Sequence, residues 1–349
     1  MTAFERLRLA VFIAGTTMAA AQEKIIFDTD SGFFGDDGAA LTMLLRSPEK
    51  VRVLGVTVVS GNVWSKQGAE YMFDIMQAAG HPDVPLYMGA NLPLRRTQAL
   101  TNEEAGRWGK LEFTGAFGRP PTQMLAPFGG KFTGRKPESE SAVDFIIRTV
   151  EENPGEVTIL EIAPMTNVAL ALRKRPGLAE KIKRLVFMGG NLYVRGNASK
   201  EAEFNFWFDP DAADEVLRSM IPEKVMFGLD ICDHAPITKK EFDQLIAVKT
   251  PVTERIAEDF GNRYPGFFKN AKASAYIWDA LAAAYLLDPG FVTRSEEQSL
   301  AVETHFGATY GRVRGLKDPP DPPPPPTQVM LDLDFPRLFG MYRGLLTRK

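Results

Sequence analysis

The stretch Lys24-Ile-Ile-Phe-Asp28-Thr-Asp30-Ser-Gly32-Phe-Phe-Gly35-Asp36-Asp37-Gly-Ala39 decides how the chain is read. Ile25, Ile26 and Phe27 form a short apolar run suited to a buried parallel strand. Asp28 and Asp30 fall where that strand ends, and residues 39–45 are good helix formers. The stretch therefore predicts strand, glycine loop, helix, with four carboxylates at the junction. In an open α/β sheet that junction is where ligands bind. Asp28, Asp30, Asp36 and Asp37 lie within ten residues and repel one another in a folded loop. A hard cation taking several oxygen ligands relieves the repulsion. The plainer account has Asp36 or Asp37 capping the helix and the others as solvated turn residues. Two carboxylates on each side of the loop favour an oxygen-ligand metal site for Ca²⁺ or Mg²⁺.

Working outward, strands and helices alternate. Residues 51–60 are a second β-branched run and lead into Gly61-Asn62-Val63. A helix is predicted over 67–79, stopped by Gly80 and Pro82. A short strand follows at 84–87, an amphipathic helix at 139–152 capped by Ser139, and a buried strand at 157–162. The turn at 163–167 opens a helix over 168–173, and the strand at 185–188 ends in Gly189-Gly-Asn191. Glu203-Phe-Asn205 precedes a helix starting at Asp209-Pro210, and a strand over 224–229 brings Asp230 to its end. Residues 239–272 read as helical, and 275–287 as an apolar helix carrying Trp278 and Asp279. A last strand is expected at 328–334 and a last helix from Phe335. Residues 91–136 show no periodicity and read as an insertion or lid. Pro319 to Pro326 reads as a rigid polyproline-like surface loop. This alternation predicts one α/β domain with a mainly parallel, Rossmann-like central sheet flanked by helices.

Composition narrows the function. A hydrophobic content of 44% and a charged content of 24% are those of a soluble globular protein. The net charge of -3 offers no basic footprint for nucleic acid. The single cysteine, Cys232, excludes intrachain disulfides and cysteine-rich zinc sites. The three histidines, His81, His234 and His305, are too scattered for a histidine metal cluster. Residues 1–21 read as a signal peptide, with Arg6 and Arg8, an apolar run and a small-residue end at Ala19-Ala-Ala21. That run is too short to span a membrane. The mature domain, residues 22–349, is thus expected to be soluble and periplasmic or secreted, without a membrane partner.

Taken together, Asp28-Thr-Asp30 with Asp36-Asp37, Gly61-Asn-Val63, Pro164-Met-Thr-Asn167, Met188-Gly-Gly, Gly196-Asn-Ala198, Glu203-Phe-Asn205, Asp209-Pro210 and Trp278-Asp279 form an ordered set. The set resembles the inosine-uridine nucleoside hydrolase family over nearly the whole mature chain. The resemblance implies Ca²⁺-dependent cleavage of the N-glycosidic bond of ribonucleosides to ribose and free base. It implies Ca²⁺ held by Asp30, Asp37 and Asp279 and by the Ile162 carbonyl. Asp30 is the implied general base, with Asn205 beside it in the catalytic set. Asp36, Asn62, Asn197, Glu203, Asn205 and Asp279 are implied to line the ribose, with Met188 packed against it.

Two departures stand out. Five residues, Ser31 to Gly35, separate Asp30 from the aspartate pair, where the family usually has three. Trp278 and Trp108 stand where many members have histidines. In this the chain is similar to the purine-specific inosine-adenosine-guanosine subgroup, which implies a purine sandwiched by Trp108 and Trp278, and a homodimer. Residues 264–268 are expected to act as a lid over the base, and His234 to be structural. The alternatives are a hydrolase of broad or pyrimidine specificity, a nucleoside-binding protein without catalysis, and a haloacid-dehalogenase-type phosphatase suggested by Asp28-Thr-Asp30. The later Glu-Phe-Asn block speaks against the last.

Overall fold

In the computed structural model the opening stretch folds as the sequence predicts, into a strand and a helix with the acids clustered at their junction. The structure describes residues 22–348 except Phe33, Gln123, Phe128, Gly129, Tyr264, Pro265, Ala271, Ala273, Pro319 and Asp321. In chain order the elements are β1 (Glu23–Thr29), α1 (Gly35–Leu45), β2 (Val51–Val58), α2 (Ser65–Ala78), β3 (Leu86–Met88), α3 (Gln98–Trp108), α4 (Ala142–Glu152), β4 (Val157–Glu161), α5 (Thr166–Lys174) and β5 (Arg184–Met188). There follow α6 (Phe204–Phe208), α7 (Pro210–Leu217), β6 (Lys224–Phe227), α8 (Leu229–Cys232), β7 (Pro236–Thr238), α9 (Lys239–Ile246), α10 (Pro251–Arg263), β8 (Ser274–Tyr276) and α11 (Trp278–Leu287). The chain closes with β9 (Val292–Gln298), β10 (Leu300–Val302), β11 (Val313–Gly315), β12 (Thr327–Leu333) and α12 (Phe335–Leu346).

Eight strands make one sheet in the order β3-β2-β1-β4-β5-β6-β12-β9. All neighbours pair in parallel except β9, which runs antiparallel to β12 at the edge. Parallel strands covered on both faces need apolar side chains on both, and all five residues of β4 are buried, as are Ile25, Ile26 and Phe27. One face is covered by α1, α2, α11 and α12, the other by α4, α5 and α7. From β1 the chain builds outward to β2 and β3; from β4 it builds the other way. The direction therefore reverses between β1 and β4, and the crevice at the carboxyl ends of those strands is the expected ligand site.

Some expectations change. Residues 91–136 contain α3, whose sequence carries no apolar stripe. It is held by the Thr97 cap and by Glu104, which pairs with the buried Arg96 at 2.5 Å. Residues 239–272 split into α9 and α10, with Pro251 opening the second helix. Residues 274–276 are a strand paired with β7, so α11 begins only at Trp278. Ser141, not Ser139, caps α4. The edge strand β9 reads Val-Thr-Arg-Ser-Glu-Glu-Gln, a charged pattern that protects a sheet edge and conceals a strand. The expected lid at 264–268 lies partly outside the described residues. Within it, Phe267 is buried against Phe242 and Phe260, ring centroids 5.1 and 5.2 Å away, which is core packing. The signal-peptide residues 1–21 lie outside the described residues, as do Pro319 and Asp321 of the proline-rich loop. No described helix is long and apolar enough to cross a membrane.

Candidate active site

The register of the parallel strands builds the floor of the site. Asp28 of β1 stands opposite Thr57 of β2 and Glu161 of β4. Thr57 Oγ1 donates to Asp28 Oδ1 at 2.6 Å, and Asn167 Nδ2 donates to the same oxygen at 2.8 Å. Asn167 Oδ1 also accepts from Ala90 N, an approach that requires Gly89: a Cβ there would sit 2.2 Å from Asn167 Oδ1. Burial pushes the Asp28 carboxyl up to about 6 and the Glu161 carboxyl well above its ordinary range. Asp28 Oδ2 and Glu161 Oε2 are both buried without another described partner. A proton kept by Glu161 and shared with Asp28 satisfies both. These two acids are scaffold beneath the site, and sequence reading found Asp28 without finding its mate.

Two residues on, Asp30 is fully buried behind the cavity lining. It accepts from Asn62 N at 2.7 Å and from Asn62 Nδ2 at 3.1 Å. The turn carrying Asn62 comes this close because residue 61 is glycine. Asp36 and Asp37 occupy the first turn of α1, where the helix N-terminus favours anions. Neither is the N-cap residue, so the capping account of these acids does not hold. Thr29 Oγ1 donates to Asp37 Oδ1 at 2.5 Å. Asp279 lies in the first turn of α11, which packs against α1; both helices are rich in alanine, with Ala39, Ala40, Ala280 and Ala283 buried in the same core. The packing brings ligand atoms of Asp36, Asp37 and Asp279 within 4.8 Å of one another.

The donor set fits a hard divalent cation. Burial drives the Asp279 carboxyl well above its ordinary range, and the charges acting on it most strongly are Asp36, Asp37, Asp30 and Glu203, all acidic. Asp30 is raised in the same way, by burial and then by Asp37. Carboxylates crowded to this degree suit oxygen coordination of an ion such as Ca²⁺ or Mg²⁺. Asp36, Asp37 and Asp279 would hold it, with Asp30 acting on the same cluster; Ile162 lines the cavity, and its carbonyl accepts from Asn205 Nδ2 at 3.4 Å.

Above the acids opens a cavity of about 360 Å³. Asp36, Asp37, Asn62, Ile162, Met188, Asn197, Glu203, Asn205, Trp278 and Asp279 line it, so sequence-predicted residues make up most of its wall. The polar wall is prearranged. Glu203 caps α6: Oε1 accepts from Asn205 N at 2.8 Å, and Oε2 from Gly190 N at 2.8 Å and Phe206 N at 3.2 Å. Burial lifts this carboxyl to about 7 against those donors. Asn205 Nδ2 donates to the Met188 carbonyl at 3.0 Å, and Asn197 Oδ1 accepts from Phe204 N at 2.7 Å. The Asp209-Pro210 pair supports the wall from outside the cavity, Asp209 capping α7 and accepting from Thr166 Oγ1 at 2.6 Å.

The tryptophans divide. Trp278 lines the cavity. Trp108 does not: it ends α3, is 41% exposed and packs edge-on against Phe306 with ring centroids 5.2 Å apart. The two-indole clamp is therefore not assembled in this structure, because α3 carries Trp108 away from the pocket. The cavity wall instead includes Phe113 and Phe204, whose rings lie 4.7 Å apart, and Arg119. Sequence reading missed all three; Phe204 alone had a signal, from its place inside Glu203-Phe-Asn205.

The family model described as inosine-uridine preferring nucleoside hydrolase matches residues 25–340. A pyrimidine-specific ribonucleoside hydrolase, RihB, of Escherichia coli is 31% identical over 292 residues, 83% of this chain and 86% of that protein. An uncharacterized protein of Schizosaccharomyces pombe is 38% identical over 235 residues, 67% and 70% of the two chains. Among solved structures, a purine-preferring ribonucleoside hydrolase from Gardnerella vaginalis superposes with a TM-score of 0.75 at 29% identity, covering 93% of this chain and 98% of that one. A plant nucleoside hydrolase superposes with a TM-score of 0.77 at 25% identity, covering 94% and 100%. With the match running through nearly every described element, the chain belongs to the inosine-uridine preferring nucleoside hydrolase family, enzymes that hydrolyse N-glycosyl bonds.

Proposed function

We propose that this enzyme is a Ca²⁺-dependent hydrolase of purine ribonucleosides. The observation that carries the reading is the convergence of Asp36, Asp37 and Asp279 beneath a cavity walled by amide side chains and Trp278. Asn62, Asn197 and Asn205 offer amides, and Glu203 a carboxyl group held in place by backbone donors, to the sugar, whose ring turns positive as the bond to the base breaks. Water adds to the anomeric carbon, its proton passes to Asp30, and the base leaves with the bonding electrons and takes up a proton. Asp30 is oriented for this by the two Asn62 donors. A divalent cation in the acidic cluster supplies a lowered pKa for the attacking water, a hold on the sugar hydroxyls and relief of the negative field on Asp30. Stacking on the Trp278 indole favours the purine as it gains its proton.

A pyrimidine preference is the second reading, favoured by the similarity to RihB. Ribose release from inosine and from uridine, with and without chelator, separates the two. Faster turnover of inosine, abolished by chelator and restored by Ca²⁺, is the expected result; faster turnover of uridine overturns the purine assignment. Residues 1–21 are inferred to direct export and 22–349 to form the mature domain, which N-terminal sequencing of exported protein tests. A homodimer is inferred as the working assembly, tested by light scattering.

A further inference from the structure

We infer that Asp233 is a positioning residue for Trp278, fixing the indole as the stacking wall for the base; this rests on the reading that Trp278 stacks on the substrate. Trp278 opens α11, partly buried and packed against the core beneath it. A further hold comes from the segment after β6. Asp233, at the end of α8, accepts from Trp278 Nε1 at 3.3 Å through Oδ1. The preceding residue, Cys232, places Sγ 3.8 Å from the Trp278 carbonyl. The Cys232 thiol lies nearer the Phe227 carbonyl, at 3.5 Å, so the bond from the indole to Asp233 is the stronger tie between α8 and Trp278.

A third contact completes the clasp. Tyr276 stacks on the indole with ring centroids 5.4 Å apart and planes 10° from parallel. Tyr276 belongs to β8, which pairs with β7, the strand that starts three residues after Asp233, with Pro236 opposite Tyr276. The β7–β8 ribbon therefore carries Tyr276 to the indole and ties it to the chain segment that carries Asp233. An indole has one N–H and two faces. Asp233 takes the N–H and Tyr276 takes one face of a residue that also lines the cavity. A carboxylate acceptor fixes the ring plane more firmly than a neutral one, since charge-assisted hydrogen bonds are the stronger. Fixing a stacking wall in advance raises reactivity with the substrate, because the ordering cost is met before binding.

The test uses four variants of the full-length enzyme, D233A, D233N, W278A and D233A/W278A, assayed for kcat/KM on inosine and on uridine. D233A is expected to lose roughly tenfold on inosine, the scale of one hydrogen bond to a charged group. It should lose less on uridine, whose single ring overlaps less of the indole. D233N keeps an oxygen acceptor and should recover most of the loss, which a variant that merely disturbed the fold would not do. The double variant should be no worse than W278A, since both changes remove the same wall. If W278A retains full activity on inosine, the stacking reading itself falls. If W278A is impaired while D233A matches the parent, or if the two losses add, the stacking reading stands and the role of Asp233 is overturned. An equal fall of D233A on both nucleosides without rescue by D233N overturns it as well.

Discussion

Replacing Gly61 by alanine perturbs Asp30 without touching its chemistry. A Cβ at residue 61 would lie 1.9 Å from Asp30 Oδ2, 2.7 Å from its Cγ and 2.8 Å from its Cβ. To reach an ordinary contact of 3.4 Å, the carboxylate must retreat by about 1.5 Å. It has little room, because Asp30 is fully buried and accepts from Asn62 N at 2.7 Å on the oxygen that must move. Overpacking of this kind costs about 1–3 kcal/mol of stability. A misplacement of about 1 Å in a reacting group costs on the order of a hundredfold in rate. G61A is therefore expected to melt a few degrees below the parent and to lose at least about a hundredfold in kcat/KM for inosine. Thermal melting checks that the variant is folded, and a reducing-sugar assay reads the rate. A folded G61A within roughly threefold of the parent would refute the assignment of Asp30 as the base, or the rigidity ascribed to it.

Three further outcomes are expected. An ion bound only by the folded state raises stability by about 2.7 kcal/mol at a hundred times its dissociation constant, so chelator should lower the parent's Tm and Ca²⁺ restore it. D279N, lacking one of the three converging carboxylates, should show little response to either. Arg96 is buried between the rings of Trp207 and Tyr310, 3.9 and 4.8 Å from their centroids, and pairs with Glu104. R96A leaves the buried Glu104 charge with the Trp207 Nε1 donor but no counter-charge, and should cost about 3–5 kcal/mol in denaturant unfolding. Lys224, buried at the start of β6, has its ammonium pushed down to about 8 by burial. Between pH 8 and 10.5 the unfolded chain holds a proton at this site that the folded chain has released, so the lysine's unfavourable contribution fades as pH rises. K224M should melt above the parent at pH 7, with the gap narrowing through that range.

Much of the fold was legible because the sheet is parallel and buried. Apolar runs such as Ile25-Ile-Phe27 and Val157-Thr-Ile-Leu160 cannot hide, and the acids and asparagines that follow them mark the carboxyl ends of the strands. Elements stabilised by other means were not legible. Helix α3 has only Thr101 and Glu104 buried, so no stripe announces it, and its presence carries Trp108 off the cavity. Ribbon β7–β8 is three residues a side, too short for a period to show. At the site, the residues in local motifs were found, whereas Phe113 and Arg119 arrive from a loop whose course depends on tertiary packing. Glu161 looked like an ordinary strand residue, since its meaning comes only from facing Asp28 across the sheet.

The pairing of α1 with α11 has a consequence for the chain before any ion arrives. Both helices point their amino ends at the same spot, and α6 offers a third, capped by Glu203. The amide dipoles of α1 and α11 place partial positive charge at those ends, and the raised proton affinities of Asp30 and Asp279 let protons neutralise part of the remainder. Folding can thus precede loading. If the cluster takes a cation, the folded protein is already shaped to receive it, and loading should release protons to the solvent, a titratable signature that a nascent or misfolded site would lack.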